Sequence, residues 1–201
     1  MAIITSVKQQ KNKKRVNIFL DEKFAFGIDL ENFLKSKLKV GMELEDEQIE
    51  KIVNKAEFAK VYDKILRFAS LRPRSKREFE RWFFKHKVHK SLHARLFNKL
   101  KRLEFLDDEK FATWWVEQRL QFKSKSKREL IQELRLKGIT KDTMDDVFSK
   151  LEVDEEAQAK KLFEKNKYKW ERLTGFEKRK KVSAYFARRG FSWDVIRKVI
   201  E

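Results

Sequence analysis

A four-residue string that occurs twice constrains the fold of this chain more than any other feature. Ser75-Lys76-Arg77-Glu78 recurs unchanged as Ser126-Lys127-Arg128-Glu129, 51 residues later. At the same offset apolar residues align with apolar residues, in the pairs Phe79/Leu130, Phe83/Leu134, Val88/Ile139, Leu96/Val147, Phe97/Phe148 and Leu100/Leu151. Self-similarity at one period is the signature of a repeat protein, in which neighbouring units bury each other's apolar faces.

A third copy follows the second. The string Gly138-Ile139-Thr140-Lys141-Asp142 becomes Gly190-Phe191-Ser192-Trp193-Asp194, at an offset only one position longer than the first. The sequence therefore predicts three repeats at residues 60–106, 107–151 and 152–201, preceded by a different segment at residues 1–59.

Within a repeat the apolar spacing is helical. Met144, Val147, Phe148 and Leu151 stand at i, i+3, i+4 and i+7, which is one face of an α-helix. Three helices fit each repeat. Both S-x-x-E strings fit capping boxes that start helix two, with the serine oxygen on the N3 amide and the glutamate returning to the serine amide. Gly138 and Gly190 fit the left-handed position that ends helix two. We expect a mainly α protein of three tandem three-helix repeats in an elongated, curved array.

The N-terminal segment at residues 1–59 carries a strand pattern. Val16, Ile18 and Leu20 alternate with Arg15, Asn17 and Phe19 at period two, and Phe24-Ala25-Phe26 follows after Asp21-Glu22-Lys23. Two short helical patterns come next, around 30–38 and 46–52. This segment is predicted to be a cap made of a β-hairpin and short helices. A strand edge, or the basic turn Lys11–Arg15, is a second surface that could touch a partner.

Charge indicates the kind of partner. The chain has 50 Lys and Arg against 32 Asp and Glu, a net charge of +18. Residues 60–201 hold 39 of the basic and 22 of the acidic residues, and the first repeat alone holds 15 basic and 4 acidic residues. Such an excess favours nucleic acid or a protein coated with nucleic acid, with the first repeat attracting it most strongly. The alternative is a solvated surface that only confers solubility.

The helix starts are the predicted binding residues. Lys76, Arg77, Lys127 and Arg128 lie in first turns, where the helix dipole repels cations at a cost of about 0.3–1 kcal/mol each. Repetition of this conflict predicts anion contact by the helix amides and flanking cations, the alternative being charges spread at random. A further cluster at residues 176–181 is expected to be out of register with the first two. The predicted binding set is Arg72, Arg74, Lys76, Arg77, Lys123, Lys125, Lys127, Arg128, Arg179, Lys180, Lys181, Arg188 and Arg189.

Chemistry-bearing patterns are scarce. There is no cysteine, no glycine-rich phosphate loop and no nucleophile motif. His89 and His93 stand at i, i+4 but lack a carboxylate at ligand spacing, and the acidic runs 107–109 and 154–156 suit helix starts. We predict no enzymatic activity, no cofactor and no metal. Trp82, Trp193 and Tyr168 are candidates for stacking on bases, whereas Phe111, Trp114, Trp115 and Phe148 are expected in the core. No apolar run is long enough to span a bilayer and no secretory signal is present, so a cytoplasmic protein is expected.

These strings together resemble the bacterial RecX family. The matching segments are Arg72-Pro73-Arg74-Ser75, Leu106-Asp107-Asp108-Glu109-Lys110-Phe111-Ala112, Lys137-Gly138-Ile139, Arg188 to Ile196 and the hairpin Arg15 to Gly27. They cover nearly the whole chain in order. Two positions depart from the family pattern, Lys87 where glycine is usual and Phe105 where Gly-Tyr is frequent, and both concern local turn geometry.

The resemblance implies a regulator rather than a catalyst. Members of the family bind the filament that the RecA recombinase assembles on single-stranded DNA, lie in its groove, and generally inhibit its ATPase, strand-exchange and coprotease activities. Many also bind DNA. The implied partners are the RecA filament and single-stranded, or double-stranded, DNA, and the implied roles are in homologous recombination, DNA repair and the SOS response. The chain itself is expected to be a monomer. A DNA-binding repeat protein without a recombinase partner is the alternative.

Overall fold

The structure is a computed structural model that describes residues 1–11 and 13–200. It is mainly helical, as predicted. The strands are β1 (Ala2–Gln9), β2 (Arg15–Leu20), β3 (Lys23–Asp29) and β4 (Glu43–Leu44). The helices are α1 (Leu30–Lys35), α2 (Asp46–Ser70), α3 (Lys76–Lys85), α4 (Lys90–Arg102), α5 (Asp108–Lys123), α6 (Lys127–Leu136), α7 (Lys141–Lys150), α8 (Glu155–Asn166), α9 (Gly175–Arg188) and α10 (Trp193–Ile200), with a short 3₁₀ helix at Lys167–Lys169.

The chain forms two compact units. The first contains residues 1–72 and 88–100, and the second contains residues 73–87 and 101–201. Helices of the predicted first repeat, residues 60–106, thus belong to both units.

The first unit is built on a small antiparallel sheet with strand order β3-β2-β1-β4. The predicted hairpin is present as β2 and β3, and the alternating residues Val16, Ile18 and Leu20 are buried. Strand β1 was not predicted, because its adjacent residues Ile3 and Ile4 break the alternation: Ile4 is buried and Ile3 is exposed.

Helix α2 is much longer than the predicted 46–52 segment. It spans 25 residues and begins at a capping box of Glu45 and Gln48. No glycine or proline interrupts residues 46–70, so nothing ends the helix at residue 52. The predicted border between residues 59 and 60 falls inside this helix. Phe58 of α2 is buried in the first unit, with the Arg95 guanidinium 3.9 Å from its ring centroid.

The second unit contains the predicted three-helix groups. Helices α5, α6 and α7 enclose one core, centred on the fully buried residues Phe111, Leu130 and Leu134. Helices α8, α9 and α10 enclose another, centred on Phe186 and Trp170. Of the residues expected in the core, Phe111 and Trp115 are buried, while Trp114 and Phe148 are half-buried and pack at the edge.

Helix two ends in the same left-handed conformation in every repeat. Gly138 has φ +83° and Gly190 has φ +80°, as predicted for these positions. Lys87 stands at the equivalent position with φ +51°, and Glu104, beside Phe105, has φ +58°. The departure at Lys87 therefore keeps the left-handed turn, with a side chain where glycine would be unstrained.

Replacing Lys87 by glycine should raise the free energy of unfolding by up to about 1 kcal/mol. A residue with a Cβ is strained by roughly 1–2 kcal/mol in the left-handed region, and glycine removes that strain from the folded state. Glycine also loses more conformational entropy on folding, which offsets roughly 0.5–1 kcal/mol of the stabilisation. Urea denaturation measures the difference. Lys85→Gly, in the last turn of α3, is the matched control and should destabilise by about 1 kcal/mol. A loss of stability in Lys87→Gly would contradict the left-handed assignment.

Candidate nucleic-acid interface

Cation pairs of helix two recur at one position in all three repeats, counted back from the left-handed residue that ends the helix. The pairs Lys76-Arg77, Lys127-Arg128 and Arg179-Lys180 stand at the same sequence separation before the left-handed residues Lys87, Gly138 and Gly190. We call these six residues the helix-two cations. The expectation that the third cluster is out of register was wrong, because α9 begins one turn earlier than its counterparts and only its C-terminal end keeps the common spacing.

Burial confirms this register. The residue eight positions before each left-handed turn is buried, namely Phe79, Leu130 and Val182. The residue four positions before it is also buried, namely Phe83, Leu134 and Phe186. Helices α3, α6 and α9 therefore present the same face to their cores and carry the cation pairs at the same place.

The repeated serines join one repeat to the next. Ser75 Oγ accepts from the Glu78 amide at 3.3 Å and donates to the Lys137 carbonyl at 2.8 Å. Ser126 Oγ accepts from the Glu129 amide at 3.2 Å and donates to the Arg189 carbonyl at 2.6 Å. Both serines are fully buried. One hydroxyl thus caps its own helix and binds the C-terminal carbonyl of the following helix two.

The repeated glutamates reinforce the same joint. Glu78 Oε1 accepts from Lys137 Nζ at 2.7 Å, and Glu129 Oε1 lies 3.9 Å from the Arg189 guanidinium. The serine half of each predicted capping box is confirmed. For Glu129 the return bond was wrong, since Oε1 pairs with lysine and arginine and the buried Oε2 has no hydrogen-bond partner among the described residues.

At two helix starts, a carboxylate of the chain itself accepts a hydrogen bond from a first-turn backbone amide. The Lys76 amide donates to Asp108 Oδ1 at 2.8 Å, and the Lys127 amide donates to Glu155 Oε1 at 2.9 Å. Burial raises the pKa of Asp108, against the opposing effect of the Lys76 amide. The predicted amide anion site is therefore filled internally. A carboxylate beside each first turn also offsets the cost of placing cations there, so that cost is not evidence for an external ligand.

The arginine stems pack in these joints while their charged ends remain exposed. A Cβ placed on Gly138 would lie 2.8 Å from Arg77 Cβ, and one on Gly190 would lie 3.0 Å from Arg128 Cβ. Each glycine thus allows the helix-two start of one repeat to lie against the helix-two end of the next. Arg77 and Arg128 are nevertheless exposed, as expected for long side chains whose methylenes pack and whose heads stay in water.

The third repeat differs from the first two in its joint residues. Lys178 and Lys181 stand where the first two repeats have the buried serine and the glutamate. The whole run Lys178–Lys181 is exposed, and within residues 1–11 and 13–200 no carboxylate pairs with it. Lys178 lies in the predicted cluster at residues 176–181 but is absent from the predicted binding set, although counting back from Gly190 would have included it. This run places four exposed cations in succession on the second unit.

Four members of the predicted binding set are less accessible. Lys125 is only 19% exposed and pairs with Glu129 at 3.2 Å and Glu133 at 3.1 Å. Burial opposes ionisation of Glu133, but hydrogen bonds from Arg119, Lys125 and Trp115 outweigh it and hold its pKa below the usual range. Lys125 therefore belongs to an internal network. The other three, all half-buried, are Arg72, Arg74 and Arg189.

The remaining members are exposed. Lys123 ends α5 and Arg188 ends α9, and both face solvent, as do Lys76, Lys127, Arg179, Lys180 and Lys181. In the first unit, the predicted basic turn Lys11–Arg15 includes Asn12, which lies outside the described residues. Arg15 in that turn donates to the Gly27 carbonyl at 2.6 Å, which holds it against β3.

The candidate stacking residues separate into two kinds. Trp82 is buried, with its ring 3.9 Å from that of His86. Trp193 and Tyr168 are 60% and 65% exposed. Trp82 is therefore a core residue, and the other two are available to a ligand.

The histidines and acidic runs have local structural roles. His86 caps α3, and Nδ1 lies 2.9 Å from the Trp82 carbonyl. Asp107 and Asp154 cap α5 and α8 through their side chains, as predicted from the acidic runs. Among the described residues no group of three or more histidine or acidic side chains could hold a metal ion.

The helix-one acids also receive lysines from helix three. Glu109 pairs with Lys150 at 2.6 Å, and Glu156 pairs with Lys198 at 2.8 Å. Hydrogen bonds from Lys160 and Lys198 lower the pKa of Glu156 to about 2. In both the second and the third repeat, an ion pair thus joins an acidic residue of helix one to a lysine of helix three.

The chain contains repeated three-helix units, serine joints between them, and a cation pair at one position of each helix two. These features define a basic helical-repeat protein. Models of the RecX N-terminal domain, the second RecX three-helix domain and the third RecX three-helix domain match residues 2–45, 107–147 and 154–200. The chain is 34% identical over 198 residues to the regulatory protein RecX of Bacillus subtilis strain 168, covering 98% of this chain and 75% of the relative. It is 28% identical over 204 residues to that of Clostridioides difficile strain 630, covering 100% of this chain and 95% of the relative. The chain belongs to the RecX family of regulatory proteins.

Solved structures agree with this assignment. A crystal structure of regulatory protein RecX matches with a TM-score of 0.72 at 26% identity, covering 99% of this chain and 98% of the other. RecX from Lactobacillus salivarius matches in fold with a TM-score of 0.61 at 22% identity, covering 72% of this chain and 94% of the other. No described helix is long and apolar enough to cross a membrane.

Proposed function

We propose that this chain regulates the RecA recombinase by binding the filament that RecA forms on single-stranded DNA, and that it lowers the ATPase, strand-exchange and coprotease activities of that filament. The observation that carries the proposal is the register of the helix-two cations in a member of a family of regulatory proteins. Cations at one position of successive repeats suit a partner that repeats along its length.

The charges of the second unit support a filament as the ligand. A nucleoprotein filament offers phosphates together with protein carboxylates, and the exposed heads of Arg77, Arg128 and Lys180 suit either. Binding through such contacts weakens as salt rises, with a slope in log salt of about 0.7 for each phosphate contacted on single-stranded DNA. Nothing in this arrangement points to bond-making chemistry, so we expect the effect on RecA to be steric or conformational.

The ATPase rate of RecA on single-stranded DNA tests the proposal. The protein is titrated into preformed filaments at amounts too small to coat the DNA. We expect the rate to fall at these amounts, because a protein bound along the groove affects many RecA subunits. An unchanged rate would contradict the proposal.

A DNA-binding repeat protein without a recombinase partner is the second candidate, favoured by the cation run Lys178–Lys181. It predicts a different dependence on concentration. Inhibition would appear only when the protein covers the DNA and displaces RecA, and adding competitor DNA would abolish it. Regulation of the filament would persist when competitor DNA is added after the filament has formed.

A further inference from the structure

A groove between helix two and helix three recurs in the second and third repeats. In the second repeat it encloses about 310 Å³ and includes Lys127 and Ile131 of α6 and Lys141 and Phe148 of α7. In the third it encloses about 380 Å³ and is lined by Arg179 and Ser183 of α9 and Trp193, Arg197 and Ile200 of α10. The offset that relates Gly138 to Gly190 relates every lining residue of the third groove to one of the second. The groove is therefore common to the second and third repeats, and its side chains set what it can bind.

The two grooves share a cation and an apolar end. Lys127 and Arg179, both helix-two cations, lie on one wall, and Phe148 and Ile200 lie on the other. They differ at three equivalent positions, Ile131/Ser183, Asp145/Arg197 and the first residue of helix three, which is Lys141 in the second repeat and Trp193 in the third. The groove of the third repeat thus has an indole where the groove of the second repeat has an ammonium group.

Trp193 is unusual among the tryptophans. Its side chain is 60% exposed, whereas Trp82, Trp115 and Trp170 are 8%, 9% and 5% exposed. Packing of the third-repeat core does not require it, since that core is formed by other residues, among them Phe186 and Ile196. A large apolar ring held at the mouth of a cationic groove is a surface for a planar ligand that carries negative charge nearby.

We propose that the α9–α10 groove binds a nucleotide of single-stranded DNA, with the base stacked on the Trp193 indole and a backbone phosphate on Arg179. Arg197, four residues after Trp193 on the same helix face and paired with Asp194, lies on the opposite wall from Arg179. The inference deepens the proposed function and rests on it, because the ligand is the DNA strand of the filament.

Charge decides between a nucleotide and an apolar protein side chain as occupant. An apolar side chain seated on Trp193 would cover Arg179 without giving it an anion, which is costly for a desolvated cation. A nucleotide supplies a π-face for the ring and a phosphate for the guanidinium together. The exposed run Lys178–Lys181 continues the cationic surface beyond Arg179 and suits the adjoining phosphates.

Two labelled oligomers of equal length test the inference with the 201-residue chain, without RecA. One is an oligothymidylate, and the other is an abasic oligomer that keeps the phosphates but has no bases. Wild-type protein should prefer the oligothymidylate. Trp193→Ala should bind it about 5- to 150-fold more weakly, the equivalent of the roughly 1–3 kcal/mol that one stacked base contributes, and should bind the abasic oligomer as wild type does. Trp193→Phe should retain most of the affinity.

Lys141→Ala is the matched control, because it changes the same position of the second repeat and removes a cation instead of a ring. It should weaken binding of both oligomers by the same factor. Circular dichroism and the unfolding midpoint should be unchanged in Trp193→Ala, since the ring is mostly exposed. Equal affinity of wild type and Trp193→Ala for the oligothymidylate would overturn the inference, as would an equal loss on both oligomers. If RecA inhibition persists in that case, only the stacking site fails and the proposed function stands.

Discussion

Gly138→Ala is expected to lower the free energy of unfolding by roughly 2–4 kcal/mol, although it adds one methyl group on the surface of a turn. The φ of +83° strains any residue with a Cβ. The added Cβ would also lie 2.8 Å from Arg77 Cβ and 2.9 Å from Arg77 Cδ. The Cδ atom can move with its flexible side chain, but the Cβ atom is fixed to the backbone of α3. The start of α3 must therefore shift from the α6 turn, at the cost typical of overpacking.

Gly41→Ala separates the two causes. Gly41 has φ +86°, but a Cβ there would meet nothing within 4 Å. This control incurs the backbone strain alone, so it should cost about 1 kcal/mol. Chemical denaturation gives the loss of unfolding free energy for each variant. The amount by which Gly138→Ala exceeds Gly41→Ala is the cost of the contact with Arg77.

A double-mutant cycle locates the contact. Arg77→Gly removes the opposing Cβ and by itself destabilises the helix by the intrinsic cost of glycine. In that background, Gly138→Ala should lower the free energy of unfolding by less than it does in the wild-type chain. If Gly138→Ala costs no more than Gly41→Ala, or if the two changes are additive, the start of α3 does not lie against the α6 turn.

The sequence predicted the repeat architecture because its evidence is local. The serine caps, the glycines that end helix two and the helical apolar spacing all act within a few residues of one another, so their meaning does not depend on the rest of the chain. Residues Ser126 and Gly138 show this well. Their conformations follow from their own residue types.

The partners of these residues across the joint were not predictable. Ser75 and Lys137 lie 62 residues apart, and nothing in either segment alone indicates that the hydroxyl donates to that carbonyl. The same holds for the Asp108 carboxylate at the Lys76 amide. Sequence reasoning saw cations at a helix start and inferred an external anion, whereas the fold supplies one from the next repeat.

The length of α2 illustrates a second limit. The sequence predicted a short helix around residues 46–52, but no glycine or proline follows and the helix continues to Ser70. The register of the third cation cluster was missed for a related reason. Helix α9 is one turn longer at its start than α3 and α6, so aligning the three helices at their first residues puts the cations out of register. Aligning them at the left-handed residue that ends each helix puts the cations in register.

The helix-two cations should carry the regulatory effect. Arg77, Arg128 and Lys180 occupy one position in three repeats, and all three charged heads are exposed. Replacing all three by glutamine removes the charge and keeps the Cβ and Cγ methylenes, so Cβ of residues 77 and 128 still packs beside Gly138 and Gly190. Stability should therefore be nearly unchanged, while affinity for the filament should fall at least about tenfold and the salt slope by about 2.

A charge-matched control distinguishes position from net charge. Lys161, Lys165 and Arg172 are exposed cations of the third repeat that lie outside helix two. Their triple replacement by glutamine lowers the net charge by the same amount. Because long-range attraction is screened at physiological salt, this variant should retain most of its affinity.

The RecA ATPase rate on single-stranded DNA, measured against the wild-type chain and these two triple variants, tests the central claim most directly. We predict that wild type and the Lys161/Lys165/Arg172 variant lower the rate at similar concentrations, and that the Arg77/Arg128/Lys180 variant needs at least about ten times more protein. Equal inhibition by both variants, or no inhibition by the wild-type chain, would contradict the claim that in-register cations of three repeats bind a RecA filament.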